Sequence, residues 1–168
     1  MPDLVETLIE DDRWSDAGLP ALAEQACRAT LARLDLTPDQ FEISLLACDD
    51  ARISILNADF RGKPSATNVL SWPADDLAAE DDGGTPEHPE TGFEGMPEEL
   101  GDIAIAFETC TREAQEQGKA FSAHVTHLLV HGCLHLLGYD HIREQDAALM
   151  EGLEVEILAT LGLADPYG

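Results

Sequence analysis

Three histidines within eleven residues constrain this chain more than anything else in it. His131, His135 and His141 stand in the spacing His-x3-His-x2-Gly-x2-His. The pattern asks for a helix that stops at Gly138 and a chain that then turns back. On a helix, residues four apart differ by about 40° in azimuth and about 6 Å in height, so the imidazoles of His131 and His135 reach one ion from one face. Each zinc–nitrogen bond would span roughly 2.0–2.1 Å. Gly138 can adopt the left-handed conformation that ends a helix, and His141 can then swing back to supply a third nitrogen. Three protein ligands leave a fourth position for water, as catalytic zinc requires. Three imidazoles also suit nickel and copper.

The other histidines fit less well. His127 lies four residues before His131, but His127 and His135 would sit about 12 Å apart along the axis, too far to share an ion. His127 is therefore expected to orient a ligand or to pack. His124 is expected to be incidental, and His88 to be exposed. Asp140 beside His141 either holds an imidazole by hydrogen bond or is a turn aspartate, and ranks last as a ligand. The histidine frame is similar to that of the metzincin metalloproteases, where a glutamate base follows the first histidine. Here that position is Gly132. Losing a base costs several orders of magnitude in rate, which weakens a peptidase reading.

Around this centre the chain reads as mixed strands and helices. Strands are expected at 4–9, 41–47, 68–72 and 100–107. Helices are expected from Leu19 to about Thr30, after an Asp49 or Asp50 cap, over 108–117 closed by Gly118, from a Ser122 cap to Leu137, and over 143–161. Phe60 to Thr67 is expected as a loop carrying Arg61 and Lys63. Too few strands alternate with helices for a Rossmann pattern. The expected architecture is α+β, a single small mixed sheet packed with helices, in one domain spanning 1–168.

Residues 74 to 99 stand apart. They are rich in Asp, Glu, Gly and Pro and hold no Lys or Arg, so a mobile, solvated acidic insertion is expected there. The whole chain has 34 acidic and 9 basic residues, a net charge of -25. That charge opposes non-specific nucleic-acid binding. No apolar run approaches the ~20 residues of a membrane span. The N-terminus lacks the pattern of a secretory signal, so a cytoplasmic location is expected. Cys27, Cys48, Cys110 and Cys133 form no Cys-x-x-Cys pair and are expected to be reduced and packed as small apolar residues.

Beyond the histidines, several segments carry a wider resemblance. They are His127 to His141, Phe60-Arg61-Gly62-Lys63, Thr67 to Pro73, Leu100-Gly101-Asp102-Ile103, and a tail with Met150-Glu151, Glu154, Ile157-Leu158 and Leu161-Gly162. Together they resemble the YbeY family of bacterial ribosomal RNA maturation factors, over essentially the whole chain outside 74–99. The resemblance implies an α+β fold with a zinc site at the end of a helix, ligated by His131, His135 and His141. It implies a zinc-dependent endoribonuclease, a hydrolase of phosphodiester bonds that cuts single-stranded RNA. It implies roles in 16S rRNA 3′-end maturation and ribosome quality control, with the small ribosomal subunit and assembly factors as partners, and neither DNA nor membrane. It also implies a functional arginine near the metal, which falls on Arg61. A guanidinium binds phosphate charge in a planar, bidentate way, and Lys63 is the weaker candidate. A metallopeptidase and a non-catalytic ribosome-assembly factor are the competing readings.

Overall fold

The structure, a computed structural model, describes residues 3–92 and 96–167. In chain order the elements are β1 (Val5–Ile9), α1 (Arg13–Asp16), α2 (Leu19–Arg33), β2 (Phe41–Cys48), α3 (Asp50–Arg61), β3 (Val69–Pro73), β4 (Glu98–Ala106), α4 (Phe107–Gln117), α5 (Phe121–Leu136) and α6 (Glu144–Thr160). The four strands form one mixed sheet in the order β1-β2-β4-β3. The pairs β1–β2 and β2–β4 run parallel, and β3 adds antiparallel at the edge. A parallel pair cannot be closed by a tight hairpin, and α2 supplies the crossover between β1 and β2. The α+β expectation holds, as do its four strands.

The two faces of the sheet are filled differently. On one face, β2 turns Phe41, Ile43, Leu45 and Ala47 into the main core, where they meet buried residues of α2, α5 and α6. On the other, the small side chains of Cys48, Ala104 and Ala106 leave room for α3 to seat Ile53. All four cysteines are buried and free, as expected. The short helix α1 escaped the sequence reading. It exists to bury Trp14, whose indole N–H donates to the Cys48 carbonyl at 2.9 Å. The Trp14 ring also packs on Phe107 and Phe121.

Helix α5 is the spine of the molecule. It touches α2, α4, α6, β3 and β4, and buries Val125, Leu128, Leu129, Val130, Cys133, Leu134 and Leu136. Such burial explains why it is apolar nearly all round. Among the described residues, no helix is long and apolar enough to cross a membrane.

Three expectations need correction. Ser122 does not cap α5. The cap residue is Ala120, and Ser122 is already helical, its carbonyl accepting from the Thr126 hydroxyl at 2.7 Å. The helix starts early because Phe121 is drawn into the Trp14 cluster. Arg61 is not in a loop. It is the last residue of α3, which Asp49 caps through the Arg52 N–H and which left-handed Gly62 ends.

The third correction concerns the acidic insertion, of which residues 93–95 lie outside the described residues. Most of its described residues are exposed, as expected, but residues 79–83 are bonded to the start of α6. The Arg143 guanidinium, at the N-terminus of α6, donates to the carbonyls of Ala79 and Glu80 at 2.8 and 2.7 Å. Asp82 accepts the Asp146 N–H, and Asp146 in turn accepts the Gly83 N–H. An acidic loop suits this place, since unpaired N–H groups and the positive end of the helix dipole meet there. Leu77 is buried, His88 is exposed as expected, and Glu98 and Glu99 belong to β4.

Candidate active site

The histidine frame is assembled at the C-terminal end of α5. His131 and His135 lie one turn apart on it. Beyond Leu136 the chain closes on itself, with the Gly138 N–H donating to the His135 carbonyl and the Tyr139 N–H to the Leu134 carbonyl, both at 3.1 Å. Gly138 has φ +98°. A Cβ there would also lie 2.7 Å from the backbone of Leu77, so glycine is required twice over, by conformation and by the approach of the acidic loop. The turn delivers His141 to the other two.

The three ring centroids lie 4.5–5.2 Å apart. One nitrogen from each ring falls within 4.8 Å of the others. The Nε2 atoms of His131 and His135 approach to 3.0 Å. With each ring's proton on Nδ1, both lone pairs face one point, as metal ligation requires. Burial and then the neighbouring His131 push the His135 pKa down to about 4, which keeps its imidazole in the neutral, ligating form. The donor set therefore fits a transition-metal ion. Asp140 is a turn aspartate, accepting the His141 N–H at 2.7 Å. His124 stays apart from the triad and is bonded to Glu113, which also holds Asn68 at the start of β3.

Glu154, which sequence reasoning gave no role, completes the centre. It comes from α6, is 0% exposed, and its Oε1 accepts from His131 Nδ1 at 3.2 Å and from His127 Nε2 at 2.7 Å. Tyr167, from the C-terminal segment, donates its hydroxyl to Oε2 at 2.9 Å. Burial pushes the carboxyl pKa up, but the bonds from His127 and His131 outweigh it and hold the group at about 2. The carboxylate thus places the His131 proton on Nδ1 and leaves Nε2 free. His127 stands outside the triad and shares this carboxylate with His131. One signal was visible in the sequence: Glu154 stands inside the apolar stripe of α6, between Leu153 and Ile157, where a charged residue needs partners.

Gly132 answers a separate question. A Cβ at this position would meet Ser71 Oγ at 3.2 Å and Ile103 Cδ1 at 3.3 Å. The site of the peptidase base is therefore the surface on which α5 rests against β3 and β4, and a glutamate would not fit without separating them.

The triad opens into a cleft of about 920 Å³. Arg61, Phe60, Asn68 and Ser71 line one side, and Asp75, Asp76 and Leu77 of the acidic loop another. Among the described residues, six of the seven arginines pair with carboxylates. Lys119 donates to a backbone carbonyl. Arg61, on the cleft wall, is without an ion pair, and so is Lys63, two residues on. In a chain this acidic, an unpaired guanidinium facing a cluster of histidines is a ready anion site.

Comparison with known proteins gives a consistent picture. Residues 6–162 match the family described as Endoribonuclease YbeY. A protein of that name from Ruegeria pomeroyi is 63% identical over 163 residues, covering 97% of either chain. One from Cereibacter sphaeroides is 59% identical over 167 residues, covering 99% of this chain and 100% of the relative. A Thermotoga maritima protein known from a solution structure shares the fold, with a TM-score of 0.54 at 17% identity over 98% of this chain and 99% of its own.

Proposed function

The chain belongs to the endoribonuclease YbeY family, and from that premise we propose that it hydrolyses single-stranded RNA at a zinc ion held by His131, His135 and His141, with Arg61 binding the phosphate. The observation that carries this reading is the convergence of three imidazole nitrogens within 4.8 Å in a cleft that Arg61 also lines. Bound there, zinc would supply a Lewis acid that polarises a phosphoryl oxygen and acidifies water.

The protein's own groups do the rest. His131 and His135 would hold the ion from a helix whose other faces are buried in the core. Glu154 keeps His131 in the ligating tautomer. Buried and bonded to His127, His131 and Tyr167, it has an orienting part. Arg61 meets the negative charge that builds on the phosphate in the transition state, where a fixed donor contributes most. Among the described residues no carboxylate pairs with it, so its guanidinium would bind phosphate without breaking such a pair. The substrate we assign is ribosomal RNA at the 3′ end of the small-subunit molecule. The net charge of -25 makes unassisted capture of long RNA weak, and favours a substrate presented by the ribosome and assembly factors. The packing of Gly132 on Ser71 and Ile103 supports this reading over a metallopeptidase.

The test is cleavage of a labelled single-stranded RNA by metal-loaded chain, beside His135→Ala and Arg61→Ala purified identically. Cleavage by the unmodified chain alone is expected. Equal cleavage by all three refutes the assignment and identifies a contaminating nuclease.

A further inference from the structure

Among the described residues, six large apolar side chains are exposed, and three of them, Phe60, Ile142 and Tyr167, line the histidine cleft. Exposed apolar surface concentrated in one place marks a binding site. Phe60 is 48% exposed and sits immediately before Arg61 at the end of α3. Its ring rests edge-on against Trp72, with centroids 5.2 Å apart and planes at 63°. Trp72 is anchored in β3 and packs on the apolar cluster under α3. The Phe60 ring is therefore braced on one side by Trp72, and the exposed residue contributes to the cleft lining. Ile142 follows the ligand His141 and is 84% exposed.

From this arrangement we infer that Phe60, supported by Trp72, is a stacking platform for the base of a nucleotide next to the phosphate that Arg61 holds. The inference rests on the endoribonuclease reading and deepens it. Charge supplies the reason such a platform is needed. Among the described residues Arg61 is the one cation lining the cleft, so backbone attraction there is confined to one or two phosphates while Asp75 and Asp76 oppose it. Base stacking on an aromatic ring supplies affinity without cations, and tolerates any sequence because every base has a flat face. It also selects single strands, since bases in a duplex are already stacked and cannot reach a side chain. The platform and Arg61 together would read one unpaired nucleotide, ring on base and guanidinium on phosphate.

The experiment measures binding, not turnover. A short single-stranded RNA with 2′-O-methyl sugars and phosphorothioate links, and the same strand made abasic, are titrated with metal-loaded chain by fluorescence anisotropy. The unmodified chain is compared with Phe60→Leu, which keeps apolar packing on Trp72 but has no aromatic face, and with Phe60→Tyr. Phe60→Leu should weaken the base-bearing strand about tenfold and leave the abasic strand unchanged, while Phe60→Tyr should bind both as the unmodified chain does. If Phe60→Leu weakens both strands equally, or neither, the stacking role is overturned, and the patch belongs to packing or to a protein contact. If the unmodified chain binds neither strand, the RNA reading falls together with the platform.

Discussion

Replacing Glu154 by Gln tests whether the buried carboxylate serves the metal or only the fold. The side chain keeps its volume and loses its charge. In the structure the carboxylate accepts from His127 Nε2 at 2.7 Å, His131 Nδ1 at 3.2 Å and Tyr167 Oη at 2.9 Å. Glutamine offers one neutral acceptor oxygen: placed at Oε1 it keeps the two imidazole contacts only as weaker, uncharged bonds, while its amide N–H donates to the Tyr167 hydroxyl. The His131 bond is the longest and will yield first. A hydrogen bond to a charged group contributes ~1.5–3 kcal/mol, and at 3.2 Å the lower figure applies, equivalent to about tenfold in a binding constant. Loss of the carboxylate that orients a ligating histidine separately leads to an expected 10- to 100-fold loss of metal affinity, roughly. The two routes agree on about tenfold. Zinc affinity measured by competition with a chromophoric chelator, for both proteins, reads this directly. Melting of the metal-free proteins reads the fold. Weaker zinc binding with a modest fall in melting temperature supports the orienting role. Unchanged zinc affinity with a lower melting temperature refutes it and leaves Glu154 a structural residue.

Other expectations follow from the same packing. Gly132→Glu should not create a peptidase; forcing a side chain against Ser71 and Ile103 should cost about 1–3 kcal/mol, visible in chemical denaturation, with no gain of casein cleavage. Arg143→Ala removes the donor that ties Ala79 and Glu80 to α6, so limited proteolysis should begin cutting within 79–92 while the sheet core stays intact. Glu24 accepts the N–H groups of Leu4 and Val5; burial raises its pKa, but these bonds and Arg28 outweigh it and lower the value below the usual 4.5. Its contribution to stability is therefore present above pH 4.5 and lost as pH falls through the lowered value. Acid titration of Glu24→Gln should show a shallower loss of stability in that window than the unmodified chain.

What the sequence alone determined is what lies close together along the chain. The three histidines occupy one helix and the turn after it, and helix geometry with one glycine converts their spacing into a shared point. The four strands were legible because each carries its own apolar run. The end of α3 was misplaced at Arg61, since the boundary depends on which residue, Arg61 or Gly62, first leaves the helix. Ser122 misled for a related reason: the start of α5 is decided by Phe121 docking on Trp14, a contact across more than a hundred residues. Tertiary structure alone decided the remaining parts of the site. Glu154 reaches His131 from α6, and Tyr167 of the C-terminal segment reaches Glu154. Arg61 reaches the same cleft from α3, and that no carboxylate among the described residues pairs with it depends on where acidic side chains lie in space. Composition showed the exposure of the acidic insertion but not the Arg143 that binds its carbonyls. Local geometry repeats with the chain and can be read from it, whereas which distant surfaces meet is settled by the burial of the whole core.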